Sequence, residues 1–402
     1  MKILFVTPVI PTETDGRRPY NFIKCLGSRH EIHVIALKLR VQTRENALRL
    51  TQLGAQVHTF DIGGLSSLLA CPLAILRGEP LRVGWCRHPR VGEAIRAIVI
   101  QHAVDVVHFD RMRMGQYAMR LEGVPKLIDF TDALTLYLER SAPLRDRLSD
   151  RLIDKYEART IARYESRILE HVDLSLFCSQ MDAGHFAKQH PEAPIEVIEN
   201  SVDTEEFRPR SRGFGAVPRC IMTGNLFYFP NIDAARYFER EIWEMIRARI
   251  KNIEIQIIGS RPKPEVLALD GRKGIAVIAD VERMWDYLFQ EDIYVCPLRV
   301  GAGIRNKLLE AMAAGMAVVT TTLGCEGLGV TSNEEVVIAD SPTDFADAVV
   351  HLAENPDLRR RLGECARRYV VAHHGSDVMG RKIEQVYGNL VARRARGMSQ
   401  SP

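Results

Sequence analysis

The sequence predicts an α/β protein with two doubly wound, Rossmann-like domains, and three observations support that fold class. The chain has 402 residues, which exceeds the size at which a single hydrophobic core keeps growing. Short apolar runs alternate along it with longer amphipathic segments that are long enough for crossover helices. The runs also lack a regular alternation of apolar and polar residues, which indicates parallel strands covered by helices on both faces.

The predicted strands follow one another in two groups. In the first half of the chain they are the apolar runs at 2–7, 31–37, 104–110, 125–130 and 173–177. In the second half they are the runs at 219–224, 253–259, 275–278, 292–298, 317–321 and 335–339. Each group is large enough for one parallel sheet, so each domain is expected to contain its own sheet.

The join between the two domains is expected near 197–220, where periodicity lapses and Gly, Pro and Arg accumulate. We therefore predict a first domain over 1–203 and a second over 204–375. A helix after Ser341 is predicted from that N-cap, with Asp344 at the third helical position. A last helix over about 376–396 begins at Ser376 and is expected to pack back on the first domain with one apolar face. That face comprises Met379, Ile383, Val386 and Leu390.

Composition and charge are those of a globular protein that acts in the cytoplasm. Hydrophobic residues make up 46% and charged residues 26% of the chain, and the net charge is +3. The eight cysteines form no C-x-x-C pair, a pattern that suits neither a zinc site nor a disulfide framework. The opening MKILFVTPVIP is too short for a signal peptide, and no stretch approaches the roughly 18 apolar residues of a membrane span. We expect no nucleic-acid partner.

The segment GAGIRNKLLEAMAAGMAVVTT at 301–321 predicts a phosphate-binding helix. A strand leads into a glycine turn and then a helix to about Ala314, which is the geometry in which free backbone N–H groups bind phosphate. Arg305 and Lys307 stand at the helix start, where the helix dipole disfavours cations by typically about 0.3–1 kcal/mol. A bound diphosphate accounts for both the glycines and the cations.

The helical spacing at 100° per residue places Glu310 on one face with Lys307 and Gly303. One turn deeper than the cations, the Glu310 carboxylate is positioned to accept hydrogen bonds from ribose hydroxyls. The alternative is a local Lys307–Glu310 pair with Arg305 pointing into solvent. That alternative explains the charges but not the glycines.

At these residues the chain resembles the retaining glycosyltransferases of family 4, which have the GT-B fold of two Rossmann-like domains facing across a cleft. The similar segments are LLEAMAAGMAVVTT with GCEGL (324–328), VIENSVDTEEFRP, TGNLFYFPNIDAARYF and LIDFTDALTLYLER. The last two resemble a branch that acts on sugar donors in polysaccharide and related pathways. The resemblance covers nearly the whole chain.

The resemblance implies transfer of a sugar from a nucleoside diphosphate sugar, a UDP-sugar being favoured, to a hydroxyl acceptor with retention of configuration. The donor is then expected on the C-terminal domain and the acceptor on the N-terminal one. Arg305 and Lys307 would bind the diphosphate, through Gly303 and Ile304 at the helix start, and Glu310 the ribose. Because the cations stabilise the leaving diphosphate directly, no metal site is expected. No cofactor is expected besides the nucleotide-sugar co-substrate.

Two departures from the family pattern concern the donor sugar. The first glutamate of the family's E-x7-E falls at Ala302. Where the family often has H-x-H, the segment DVVHFDRMRMGQY has His108 and then Asp110. Asp110 stands at the carboxyl end of its strand, where open α/β sheets bind ligands, and is a candidate catalytic residue together with Arg305 and Lys307. The alternative for Asp110 is that it caps the N-terminus of a helix near Arg111. His108 is an acceptor-side candidate, and its alternative is a core histidine whose hydrogen bonds are satisfied.

The remaining candidates flank predicted strand ends. In the first loop, Gly16 is expected near the diphosphate and Arg17 on the acceptor side, the alternative being a solvated helix start. Gly224 is expected near the phosphates, with Asn231 only a helix N-cap. The resemblance alone places the nucleobase against the backbone near Ile278 and Val281. Asp129 and Asp132 are expected either to bind acceptor hydroxyls or to cap helices. They lack the D-x-D spacing of a metal site.

A stripe of basic residues runs along one long helical segment. We favour a solvated surface with salt bridges for this stripe over a contact with anionic lipid. Its members are Arg147, Arg151, Lys155, Arg159, Arg163 and Arg167. A peripheral contact with the cytoplasmic membrane face is left open. The alternatives to a glycosyltransferase are a nucleotide-sugar 2-epimerase on the same scaffold and a non-catalytic ligand-binding protein with two lobes.

Overall fold

The computed structural model describes residues 1–38, 44–63, 65–213 and 218–398. It divides the chain into two compact units. Unit 1 comprises Met1–Glu199 together with the chain from Met379 onwards, and unit 2 comprises Asn200–Val378. Of the predicted join at 197–220, residues 214–217 lie outside the described part.

Unit 1 contains a seven-stranded sheet in the order β3-β2-β1-β4-β5-β6-β7, in which every neighbouring pair is parallel. Its strands are β1 (Lys2–Thr7), β2 (Glu31–Lys38), β3 (Ala55–Asp61), β4 (Val106–Asp110), β5 (Lys126–Thr131), β6 (Leu174–Phe177) and β7 (Ile195–Val197). The central strands β1 and β4 are buried along nearly their whole length, as expected for strands covered on both faces. The predicted doubly wound α/β fold is confirmed.

Nine helices of unit 1 precede the second sheet in the described chain. They are α1 (Arg17–Leu26), α2 (Arg44–Gln52), α3 (Leu65–Leu76), α4 (Leu81–Trp85), α5 (Val91–His102), α6 (Gly115–Ala118), α7 (Leu134–Ser141), α8 (Leu148–Leu169) and α9 (Gln180–Gln189). Short 3₁₀ turns at Met112–Met114 and Ala142–Leu144 precede α6 and α8.

Unit 2 contains a six-stranded parallel sheet in the order β10-β9-β8-β11-β12-β13. Its strands are β8 (Cys220–Asn225), β9 (Ile255–Ser260), β10 (Ile275–Ala279), β11 (Ile293–Cys296), β12 (Ala317–Thr320) and β13 (Val337–Ile338). Its helices are α10 (Phe229–Tyr237), α11 (Trp243–Arg249), α12 (Pro264–Leu267), α13 (Asn306–Ala313), α14 (Pro342–Glu354) and α15 (Pro356–His374). A π turn at Phe238–Ile242 joins α10 to α11, and a 3₁₀ turn spans Met284–Tyr287.

Each unit has a hydrophobic core of its own. In unit 2, aromatic side chains such as Trp243 and Phe345 pack against the aliphatic residues of β8, β9 and β11. The hydroxyl of Ser341 caps α14 by accepting a hydrogen bond from the Asp344 N–H at 3.1 Å, which confirms the predicted cap. No helix in the described ranges is long and apolar enough to cross a membrane.

The last helix, α16 (Ser376–Met398), begins at the predicted residue and adds its apolar face to the core of unit 1. Met379, Ile383 and Leu390 are buried there, as is Tyr387. The side chain of Tyr387 reaches a histidine of β4, so the end of the chain helps to order the centre of the first sheet.

Candidate functional site

In each sheet the order of the strands reverses at one point. Unit 1 reverses between β1 and β4, and unit 2 between β8 and β11. Open α/β sheets bind ligands beyond the carboxyl ends of the strands at such a point. There lie Gly16 and Asp110 in unit 1, and Gly224 and residues 297–305 in unit 2.

The loop before α13 depends on glycine at 301. Gly301 has a φ of 152°, and a Cβ added there would lie 2.8 Å from Nη2 of Arg305. A side chain at this position would therefore displace the guanidinium. Gly224 has as little room for a side chain, since a Cβ added there would lie 2.6 Å from Nδ2 of Asn231.

The Arg305 side chain turns back on its own loop and is only 9% exposed. Its Nη1 donates to the carbonyl oxygens of Ala302, at 2.5 Å, and Gly303. Its Nη2 donates to the carbonyl oxygen of Leu323 at 3.2 Å, while Nε has no hydrogen-bond partner. The alternative in which Arg305 points into solvent is therefore wrong.

Lys307 lies one residue inside α13, and its Nζ donates to Oδ1 of Asn231 at 2.7 Å. Asn231 in turn donates to the carbonyl oxygen of Asn225 at 2.9 Å. The predicted N-cap role of Asn231 is wrong, because α10 begins at Phe229 and its N-cap is Tyr228. The alternative Lys307–Glu310 ion pair is also wrong, since Lys307 contacts the amide instead.

Arg305 and Lys307 together form a positive site without a compensating carboxylate. Within the described ranges, no carboxylate oxygen lies within 4.0 Å of either cation. Burial lowers the pKa of Lys307, and the nearby Arg305 lowers it further. The N-terminus of α13 has no side-chain cap and adds its partial positive charge. The arrangement is suited to an anion that offers more than one negative charge.

The other predicted donor-side residues lie in unit 2. Glu310 is buried on α13 and is 4% exposed. Gly303 and Ile304 lie in the loop before that helix, and the Ile304 carbonyl oxygen accepts a hydrogen bond from Nδ2 of Asn200 at 3.3 Å. Ile278 lies in β10 and Val281 in the loop after it, which places both near the carboxyl end of that strand.

In unit 1 the predicted loop residues stand at the start of α1. Gly16 is the N-cap residue of this helix. Nε of Arg17 donates to the carbonyl oxygen of Glu13 at 2.6 Å. The next residue, Arg18, is buried instead, and its Nε donates to Oδ2 of Asp129 at 2.6 Å.

Asp129 is the centre of a buried network. Burial alone would raise its pKa, but the adjacent Arg18 guanidinium and the His108 ring lower it to about 2. Nε2 of His108 lies 3.6 Å from Oδ2 of Asp129, and Nδ1 of His108 lies 2.7 Å from the Tyr387 hydroxyl. His108 also packs against Phe5 with ring centroids 4.9 Å apart. The ring of His108 is fully buried in the core, as the alternative of a core histidine expects, and its acceptor-side role stays a prediction.

Asp110 is fully buried at the end of β4, yet neither of its carboxylate oxygens has a hydrogen-bond partner. The nearest cation is Arg111, with Nε 3.9 Å from Oδ2. Burial raises the pKa of Asp110 above its ordinary value. The following 3₁₀ turn has Arg111 as its N-cap and no side-chain cap bond, so the helix-cap alternative for Asp110 is not what the structure contains.

Asp132 is half-buried, and its Oδ1 accepts a hydrogen bond from Sγ of Cys178 at 3.2 Å. Its negative charge also helps to raise the pKa of Arg18, the partner of Asp129. Sequence reasoning missed Arg18 and Asn231 as the partners of Asp129 and Lys307. The doublet Arg17–Arg18 opens α1, and only the fold decides which of the two side chains turns inward.

Comparisons with known proteins bear on the family and the fold of the chain. Residues 217–355 match the family model described as Glycosyl transferases group 1. The uncharacterized 44.6 kDa protein in the cps region of Klebsiella pneumoniae is 25% identical over 164 residues, which cover 39% of this chain and 42% of that protein. The chain spans less than half the length of the curated relatives that it matches.

Solved structures are similar over almost the full chain. Sucrose-phosphate synthase from Thermosynechococcus elongatus has a TM-score of 0.70 at 15% identity, over 98% of this chain and 100% of that one. HepE from Anabaena, solved in complex with UDP-glucose, has a TM-score of 0.67 at 12% identity, over 97% and 100%. These findings agree with the resemblance predicted from residues 301–328: the chain has the GT-B fold, and its residues 217–355 match the family model described as Glycosyl transferases group 1.

Proposed function

We propose that this chain is a retaining glycosyltransferase that moves a sugar from a nucleoside diphosphate sugar to a hydroxyl acceptor. One observation is central: Arg305 and Lys307 form a positive site at the carboxyl end of the second sheet, with no carboxylate within 4.0 Å among the described residues. A diphosphate is the part of such a donor that matches this charge. UDP is the favoured nucleotide because HepE, which shares the fold, was solved with UDP-glucose.

Lys307 and Arg305 have different roles within unit 2. Lys307 meets a phosphate oxygen directly, because its Nζ needs only to share or leave the neutral amide of Asn231. Arg305 holds the glycine loop in shape through carbonyl oxygens and adds its charge from behind. As the bond to the sugar breaks, negative charge grows on the diphosphate, and the two cations stabilise it without a metal. Glu310 accepts hydrogen bonds from the ribose hydroxyls.

The acceptor hydroxyl attacks the anomeric carbon from the face that the diphosphate leaves, so that configuration is retained. A leaving phosphate oxygen takes the proton of that hydroxyl, which balances the charge released by bond cleavage. Asp110 supplies a carboxylate whose lone pairs are free to accept hydrogen bonds from a sugar hydroxyl. Polysaccharide, glycoconjugate or natural-product synthesis is the proposed setting, in keeping with the cps-region relative.

The test uses the wild-type chain with a panel of nucleotides and nucleotide-sugars in thermal denaturation. A ligand present at a hundred times its Kd stabilises the native state by about 2.7 kcal/mol, which corresponds to about 5–10 °C for a unit of this size. We expect the UDP series to respond and Glu310→Ala to lose most of that response. Release of UDP that depends on an added acceptor separates a transferase from an epimerase or a binding protein. Silence across the panel, or near wild-type turnover in Glu310→Ala, would contradict the proposal.

An apolar surface on unit 1 supports an acceptor held at a membrane. Helices α3 and α8 both contact α4: α3 packs against it, and Glu157 of α8 accepts hydrogen bonds from Leu81 and Arg82 at its start. Both helices expose large apolar side chains: Leu68, Leu69, Leu73, Ile75, Leu76, Leu148, Leu152 and Ile153. Exposed cations without a carboxylate partner in the described chain accompany them, namely Arg77, Arg147 and Lys155. Anionic lipid complements both properties.

We therefore propose a peripheral contact with an anionic membrane, which differs from the solvated stripe that the sequence favoured. Co-sedimentation with vesicles of phosphatidylglycerol and phosphatidylcholine should retain the wild-type chain, while phosphatidylcholine alone should retain little. A Leu69→Gln/Leu76→Gln variant should lose binding, and Leu267→Gln, at an exposed leucine of unit 2, should keep it. Dimerisation through this face without vesicle binding would contradict the proposal.

A further inference from the structure

Unit 1 brings one carboxylate and three imidazoles together on one face of its sheet. Glu31 and His33 alternate onto the same face of β2, at its amino end. His33 pairs in register with Gln56 of β3, so His58, two residues further along, projects from that face too. His102 is the last residue of α5, the helix that packs near β2.

The ligand atoms of three of these residues are close together. Oε1 of Glu31 lies 2.9 Å from Nε2 of His33 and 3.6 Å from Nδ1 of His102. One potential ligand atom from each of the three residues lies within 4.8 Å of the others. The rings of His33 and His102 have centroids 4.2 Å apart.

These separations match a tetrahedral metal. Zinc binds imidazole nitrogen at about 2.0–2.1 Å and carboxylate oxygen at about 2.0–2.2 Å, so neighbouring ligand atoms of a tetrahedral site are about 3.4 Å apart. The distances of 2.9 Å and 3.6 Å bracket that value. A cation among the three atoms therefore needs only small side-chain adjustments.

The surroundings of the cluster are compatible with a bound cation. His33 is fully buried, and its Nε2 is the nitrogen that meets Oε1 of Glu31, while its Nδ1 has no hydrogen-bond partner. Two imidazoles converge on this one carboxylate oxygen. The nearby amine of Lys2 lies 4.0 Å from the other oxygen, Oε2.

We propose that Glu31, His33 and His102 bind a divalent transition metal of the zinc class, with His58 or water as the fourth ligand. Imidazole and carboxylate in a tetrahedral arrangement are the donors that suit this ion. The ion links the amino end of β2 to the end of α5. Asp110 lies at the carboxyl end of the same sheet, so the metal is distinct from the sugar-transfer chemistry and does not depend on it.

The experiment measures zinc binding to the full chain after its metals have been removed with a chelator. Competition with a chromophoric zinc indicator should give one ion per chain, and Co²⁺ in its place should give the visible absorption of a tetrahedral complex. Glu31→Gln and His102→Gln affect partly exposed side chains, with 39% and 27% exposure, so both variants are expected to fold. Each should weaken zinc binding at least tenfold.

The matched control is His171→Gln, which removes an exposed histidine of the same unit and should leave zinc affinity unchanged. Circular dichroism verifies that each variant is folded. The proposal is overturned if the wild-type chain binds no stoichiometric zinc, if Co²⁺ shows no tetrahedral spectrum, or if zinc binds equally well to both ligand variants, as it would through the free cysteines.

Discussion

Replacing Lys307 by methionine should change stability and donor binding in opposite directions. Lys307 is half-buried beside Arg305, and the only described side-chain partner of its amine is the neutral Asn231. Removing the amine leaves no carboxylate unpaired and relieves the repulsion between two neighbouring cations. We therefore expect Lys307→Met to unfold at the same temperature as the wild type or higher.

Nucleotide binding should weaken in that variant, because a cation–phosphate hydrogen bond is lost. Hydrogen bonds to charged groups contribute about 1.5–3 kcal/mol, which corresponds to a rise of about 10- to 140-fold in the Kd for UDP. Isothermal titration calorimetry measures this Kd, and differential scanning calorimetry the unfolding temperature. The matched control is Lys251→Met, which removes an exposed lysine of the same unit.

The pH dependence gives an independent check on Lys307. Folding lowers the pKa of Lys307, so the charged amine destabilises the folded chain to its full extent at pH values below that lowered pKa. Stability then recovers as the pH rises toward the ordinary lysine pKa of about 10.4. Lys307→Met should lack this recovery. Unchanged UDP affinity together with a lower unfolding temperature would refute the reasoning, since it would mean that the amine is a structural contact only.

Three further substitutions test the remaining groups. Asp110→Asn should leave the unfolding free energy unchanged or higher, because the carboxylate has no hydrogen-bond partner. The kcat of this variant should fall by about two orders of magnitude. A kcat equal to that of the wild type would exclude Asp110 from the reaction. Asp129→Asn should cost about 3–5 kcal/mol in urea unfolding by removing the hydrogen-bonded carboxylate partner of the buried Arg18. Because the pKa of Asp129 is about 2, the wild type should lose about 2 kcal/mol as the pH falls from about 5 to 1, and the variant should lose less. Gly301→Ala should cost about 1–3 kcal/mol through backbone strain and weaken UDP binding by displacing Arg305; unchanged affinity would show that the loop shape is unimportant.

Much of the fold was predictable because buried parallel strands leave a local pattern. Runs such as KILFVT and DIYVCPL are apolar throughout, and both form central strands. Strand β3 was missed because AQVHTFD alternates polar residues along the half-exposed edge of the sheet. The short β7 was missed because a segment of three residues has no detectable periodicity.

The candidate site was predictable where function depends on residues near one another in sequence. Residues 301–310 combine glycines, cations and a helix, so their chemistry is visible in one segment. The orientation of Arg305 is different, because it depends on the conformation of Gly301 and on the carbonyl of Leu323. The Arg18–Asp129 pair joins residues 111 positions apart. No pattern within a short segment of the sequence predicts such a pair.

The position of α16 determines the order in which the protein can fold on the ribosome. Unit 1 starts at the first residue, but its core is incomplete until Ile383, Tyr387 and Leu390 have left the exit tunnel. Unit 2, by contrast, is contiguous and has been fully synthesised by Val378. Domains generally fold as units once their chain is available. The second unit can therefore mature first, while the first waits for α16 and exposes its unfinished core to chaperones in the meantime.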